Sequence, residues 1–162
     1  MTKLLSTEQM AEFANSGCLF FEGLIDENIN KEFLNDIGHT DIDDVDNIQH
    51  YFQNIKSSSS IPRIPAGTVL KDAYPLNSPL EKIFKNEIVS GAINSLVGSK
   101  TVVDHQFLHL TFPSKYYAKA NQRQMSQVNH QDSTIDPRTT FDIQLFYFPT
   151  AVTKEMGGTR YI

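Results

Sequence analysis

A histidine and an aspartate two residues apart, His130 and Asp132 in Val128-Asn129-His130-Gln131-Asp132, are the pair in this sequence best suited to chemistry. On a strand, successive side chains point to opposite faces, so His130 and Asp132 share one face and Gln131 takes the other. One imidazole nitrogen and one carboxylate then converge on a point. Together they supply two of the three ligands with which two histidines and a carboxylate hold Fe(II) on one side, leaving its other positions open. A tripeptide this short is matched often by chance, so its weight depends on the elements around it.

Those elements have to be strands joined by turns. Downstream, the polar turn Asp136-Pro137-Arg138 leads into Phe141-Asp142-Ile143-Gln144-Leu145-Phe146-Tyr147-Phe148, which alternates apolar and polar residues before turning aromatic. That pattern predicts a strand buried on at least one face. A loop, Pro149 to Met156, then ends in Gly157-Gly158-Thr159-Arg160-Tyr161-Ile162, a glycine turn entering a further strand. Upstream, Thr101 to Phe112 is a long strand candidate, with Leu108, Leu110 and Phe112 on one face and Phe107 and His109 on the other. His109 is open to two readings, a third ligand or a hydrogen-bonded structural histidine, and the second is the commoner fate of a lone histidine. Lys115 to Gln127 is polar and reads as a loop beside the tripeptide, where substrate choice is often made.

The order of these elements resembles the phytanoyl-CoA dioxygenase family of Fe(II)- and 2-oxoglutarate-dependent oxygenases. The matching text is His130-Gln131-Asp132 and Met156-Gly157-Gly158-Thr159-Arg160-Tyr161-Ile162. The resemblance implies a mainly β core of α+β class, a partial double-stranded β-helix of the jelly-roll or cupin-like kind, preceded by N-terminal helices. It implies Fe(II) bound by His130 and Asp132, 2-oxoglutarate as cosubstrate in contact with Gln106, and dioxygen and a small molecule as substrates. In the family a second histidine lies on a later strand, followed by an arginine that pairs with the far carboxylate of 2-oxoglutarate in the fork geometry of guanidinium. This sequence has no histidine after Asp132, and neither Arg138 nor Arg160 stands at the arginine position. A double-stranded β-helix has eight strands in two sheets, of which about the first half are countable here. The expectation is therefore a single, truncated domain over residues 1–162, mainly helical over 1–100 and carrying the first barrel strands over 101–162. Such a piece would lack activity by itself. The alternative is a non-catalytic jelly-roll or cupin-like binding domain with His130 and Asp132 simply hydrogen-bonded. Halogenases of similar fold replace the carboxylate with a small residue, and Asp132 argues against them.

The helical part is legible residue by residue. Ser6-Thr7-Glu8-Gln9 has capping-box spacing, with Met10, Phe13 and Ala14 following at helical intervals and Gly17 as the stop. Cys18 to Phe21 reads as a short strand. Asp26 caps a second helix whose Ile29, Phe33, Leu34 and Ile37 share a face, with Gly38 beyond its end. Ser78-Pro79-Leu80-Glu81 combines a cap, a first-position proline and an acidic third position. Its buried stripe is Leu80, Ile83 and Phe84, and Ile88 to Val97 repeats at helical spacing until Gly98. Asp41-Ile42-Asp43-Asp44-Val45-Asp46 has the alternate aspartates of a calcium loop. It puts Asp46 where such a loop needs glycine and Phe52 where it needs glutamate, which leaves a solvated acidic loop. Ser57 to Ser60, with Pro62, Pro65 and Gly67 after it, predicts an irregular segment.

Composition bounds the rest. The chain has 162 residues, 40% of them hydrophobic, enough for one domain with a core. Its net charge of -5, with no basic stripe, argues against nucleic acid and anionic membrane surfaces as partners. One cysteine, Cys18, makes no internal disulfide and sits in an apolar run as a buried thiol would. No signal region or long apolar run is present, so the expected setting is cytoplasmic.

Overall fold

The computed structural model describes residues 2–39, 58, 61–106, 108 and 142–153. Helix α1 (Thr7–Ser16) begins where the capping box closes: Ser6 Oγ accepts from the Gln9 amide at 3.2 Å, and Gln9 Oε1 accepts from the Ser6 amide at 3.0 Å. It ends at Gly17, whose φ of 74° lets its amide turn back to the Phe13 carbonyl. Helix α2 (Glu27–Asp36) starts on Asp26, whose carboxylate accepts from the Asn28 amide at 2.8 Å. Helices α3 (Pro79–Lys85) and α4 (Glu87–Val97) meet at Asn86, whose side chain accepts from the amides of Ile88 and Val89 and so caps the second as the first ends. Gly98 closes α4, as its place after the periodic run predicts.

The start of α3 carries a further device. Asn77 has φ of 64°, and its amide donates to Glu81 Oε2 at 2.7 Å while Ser78 Oγ accepts from the Glu81 amide. The other carboxylate oxygen of Glu81 meets Lys85 one turn on. The ammonium of Lys85, then the Asn77 amide, hold the Glu81 carboxyl below its ordinary range.

Helix α2 packs against α3, and α3 against α4. The core centres on Phe33 and Ile37 of α2, around which Leu34, Ile61, Leu80, Leu108 and Tyr147 gather. These residues come from five stretches of chain, so the helix α2 stripe is the surface on which the described parts assemble. An ion pair from Lys82 to Glu32 bridges α2 and α3 at the surface, where such pairs are worth about 0–1 kcal/mol.

The β content corrects the sequence-based fold class. Among the described residues the protein is mostly helical, with one two-stranded antiparallel sheet: β1 (Thr68–Val69) against β2 (Val102–Val103), Thr68 opposite Val103 and Val69 opposite Val102. No double-stranded β-helix core is present among them. The expected long strand from Thr101 is a two-residue ladder there, because its partner is itself two residues long before turning into a short 3-10 helix at Leu70–Asp72. Cys18 to Phe21 forms no strand either. Residues 142–150 likewise join no ladder, although their sequence alternates. The alternation records one-sided burial, and here a helix supplies the burying surface. Tyr147 packs edge-on against Phe33 of α2, ring centroids 5.3 Å apart at 73°, and its hydroxyl donates to Asn30 Oδ1 at 2.7 Å. A period of two requires a face to bury, and a sheet requires in addition a neighbouring strand.

Candidate functional site

The residues expected to bind metal, His130 and Asp132, lie outside the described residues, as do His109 and the Gly157-Gly158-Thr159-Arg160 turn. Gln106 lies within them. It sits three residues past β2, where the chain leaves the ladder. Its amide is held at both ends: Nε2 donates to the Pro62 carbonyl, and Oε1 accepts from the Tyr74 hydroxyl at 2.7 Å. The Pro62 carbonyl can only accept, which fixes the nitrogen of the amide toward it and the oxygen toward Tyr74. Tyr74 must then be the donor of its bond.

Tyr74 is held in turn by Phe84 of α3, its ring stacked at 4.9 Å and 14°. Gln106, past the end of β2, thus holds Pro62 directly and is tied through Tyr74 to Phe84 of α3. Burial pushes the Tyr74 hydroxyl up to about 12, and burial does the same to Tyr147. The sequence marks Gln106 but gives no sign of Tyr74 or Pro62, which occupy aperiodic stretches and reach Gln106 only through the fold.

An amide has two N–H donors and an oxygen with two lone pairs, and the Tyr74 and Pro62 bonds use one of each. Among the described residues a second N–H and a second lone pair are unused, and the N–H is a donor suited to a carboxylate or carbonyl of a small acid. His105 and Asp104, next in sequence, form an exposed pair with Nδ1 to Oδ2 at 2.7 Å. No group of three or more His, Cys, Asp or Glu side chains placed to hold a metal occurs among the described residues. Cys18 is half-buried and free of disulfides. No described helix is long and apolar enough to cross a membrane.

No known protein family, curated protein or solved structure matches the chain.

Both half-buried hydroxyls predict an alkaline limit to stability. Each tyrosine has a folded pKa of about 12 against an ordinary value of 10, so between those values the unfolded chain loses protons that the folded chain keeps. Their contribution is full below the lower value and falls away as the pH rises through the window. A double variant, Tyr74→Phe with Tyr147→Phe, is expected to show a shallower loss of stability over that window in urea titrations at stepped pH. An unchanged slope would mean that neither hydroxyl is withheld from water.

Proposed function

We propose that this chain belongs to an Fe(II)- and 2-oxoglutarate-dependent dioxygenase that hydroxylates a small molecule in a reducing, cytoplasmic setting. The observation that carries the reading is the His130-Gln131-Asp132 tripeptide, with the Gly157-Gly158-Thr159-Arg160 turn as its companion. His130 and Asp132 are two of the protein ligands, the carboxylate also offsetting the charge of the ion. Bound iron supplies open positions at which 2-oxoglutarate chelates and dioxygen is activated. Gln106 donates its second amide hydrogen to the cosubstrate, its plane set by Tyr74 and Pro62.

The test is anaerobic titration of Fe(II) with and without 2-oxoglutarate, following the visible metal-to-ligand charge-transfer band. It is run on the chain and on its His130→Ala and Asp132→Ala variants. The expected result is a band that needs both iron and 2-oxoglutarate and is lost in either variant. The absence of a band removes the oxygenase reading and leaves a metal-free binding role, and a band that survives both substitutions removes His130 and Asp132 as the ligands.

A further inference from the structure

Ahead of α1 the chain runs extended along α4, and the fit between them depends on a missing side chain. The Lys3 amide donates to the Glu87 carbonyl at 2.9 Å, and the Leu5 amide donates to Ser95 Oγ at 3.0 Å. Glu87 and Ser95 are eight residues apart, yet both bonds fall near the level of Gly91. A helical carbonyl points toward the C-terminus and a helical side chain leans toward the N-terminus, so the Glu87 oxygen and the Ser95 hydroxyl approach one another from either side. Alternate amides of an extended segment, about 7 Å apart, can then reach both. Ser95 Oγ, accepting from Leu5, also donates to the Gly91 carbonyl at 2.8 Å, which fixes its direction.

Gly91 is the pivot. A Cβ built on it would lie 1.7 Å from the Lys3 carbonyl oxygen and 2.4 Å from the Lys3 carbonyl carbon, both backbone atoms. Residue 91 therefore decides the seat of the N-terminal segment without being needed for the helix itself, since alanine is the better helix former. The helix that follows the segment is weakly held: α1 buries none of its residues, and Leu4 beside it is 63% exposed. The core around Phe33 and Ile37 includes nothing from residues 2–16.

We propose that residues 2–16 form an N-terminal strap that docks on and releases from α4 as a unit, latched at Gly91, while the rest of the described fold stays in place. Release frees the Gly91 and Ser95 face of α4 and leaves its backbone hydrogen bonds intact. The device is independent of the oxygenase reading.

Amide hydrogen exchange under native conditions tests it. In Gly91→Ala the latch closes on a methyl group, so the Lys3 and Leu5 amides are expected to exchange at least about tenfold faster while the Ile93 and Leu96 amides keep their protection. Ser95→Ala removes the second bond without adding bulk and is expected to speed Leu5 more than Lys3, by about five- to tenfold. If Gly91→Ala exposes α4 together with the strap, or the chain fails to fold, and Ser95→Ala speeds α4 in step with Leu5, residues 2–16 are an integral part of the fold and the proposal is overturned. Unchanged Lys3 and Leu5 exchange in both variants overturns it as well. Protected α4 amides with fast strap amides in Ser95→Ala support it, even where Gly91→Ala cannot be prepared.

Discussion

Phe33→Ala is expected to cost about 3–5 kcal/mol, a range typical of emptying a buried phenylalanine site. Phe33 is 3% exposed, and Leu34, Ile61, Leu80, Leu108 and Tyr147, which share no common element, pack against it and Ile37. Those neighbours are anchored by different parts of the chain, so they cannot all move in to fill the space, and the cavity term stays near its upper range. The T-shaped contact with Tyr147 adds a geometric loss of about 0.5–1.5 kcal/mol to that of area. Against a total stability of about 5–15 kcal/mol for an ordinary domain, the variant sits at the margin of folding. The chain has no tryptophan, so urea unfolding is best followed by far-UV circular dichroism of the helices. Phe33→Leu serves as the control and is expected to lose less than Phe33→Ala, because leucine keeps much of the volume. A loss below about 1 kcal/mol for Phe33→Ala would show that the other four stretches do not depend on α2 for their assembly.

The helices were legible because each one carries its own instructions. Ser6 with Gln9, Asp26, and Ser78 followed by Pro79 and Glu81 mark starts through bonds made within four residues, and Gly17 and Gly98 mark ends through the same local geometry. Phe33 and Ile37 declared the buried face of α2 by spacing alone. Strands carry no such local signature, since their hydrogen bonds go to a partner whose identity the sequence does not state. Val102 and Val103 found one two residues long. Ile143 and Tyr147 alternate as a strand would, yet Tyr147 is spent on Phe33 and Asn30 of a helix. Leu145, between them in the alternation, stays 42% exposed, and Phe146 and Phe148 at the alternate positions are 58% and 51% exposed.

The candidate site divides along the same line. The family resemblance points to Gln106, but not to the two groups that orient it. Tyr74 is 32 residues away in sequence and Pro62 is 44, and the β1–β2 ladder together with the packing of Tyr74 on Phe84 brings them to Gln106. His130 and Asp132 are legible as a pair of ligand types at strand spacing. Their placement lies outside the described residues, so the spectroscopic titration rather than any distance decides their role.

Ile83→Ala is the second large expected effect, at about 2–5 kcal/mol, with Ile83→Val at about 0.5–1.5 kcal/mol. Helix α3 is seven residues long, well below the length at which a helix holds itself in water. Its cap and its proline settle where it begins, and a lost cap such as Ser78→Ala is worth only about 1 kcal/mol. What keeps it helical is burial: Ile83 is 2% exposed, and Pro79, one turn earlier on the same face, is more buried still. Helix α3 lies between α2 and α4 and supplies Phe84 to the ring of Tyr74. A cavity at Ile83 therefore loosens the Gln106 environment and the α2 contact at once. Hydrogen exchange separates the outcomes: the amides of α2, α3 and α4 are expected to lose protection together in Ile83→Ala. Selective loss in α3 alone would make it a locally opening segment and would confine the stability loss to the neighbourhood of Gln106.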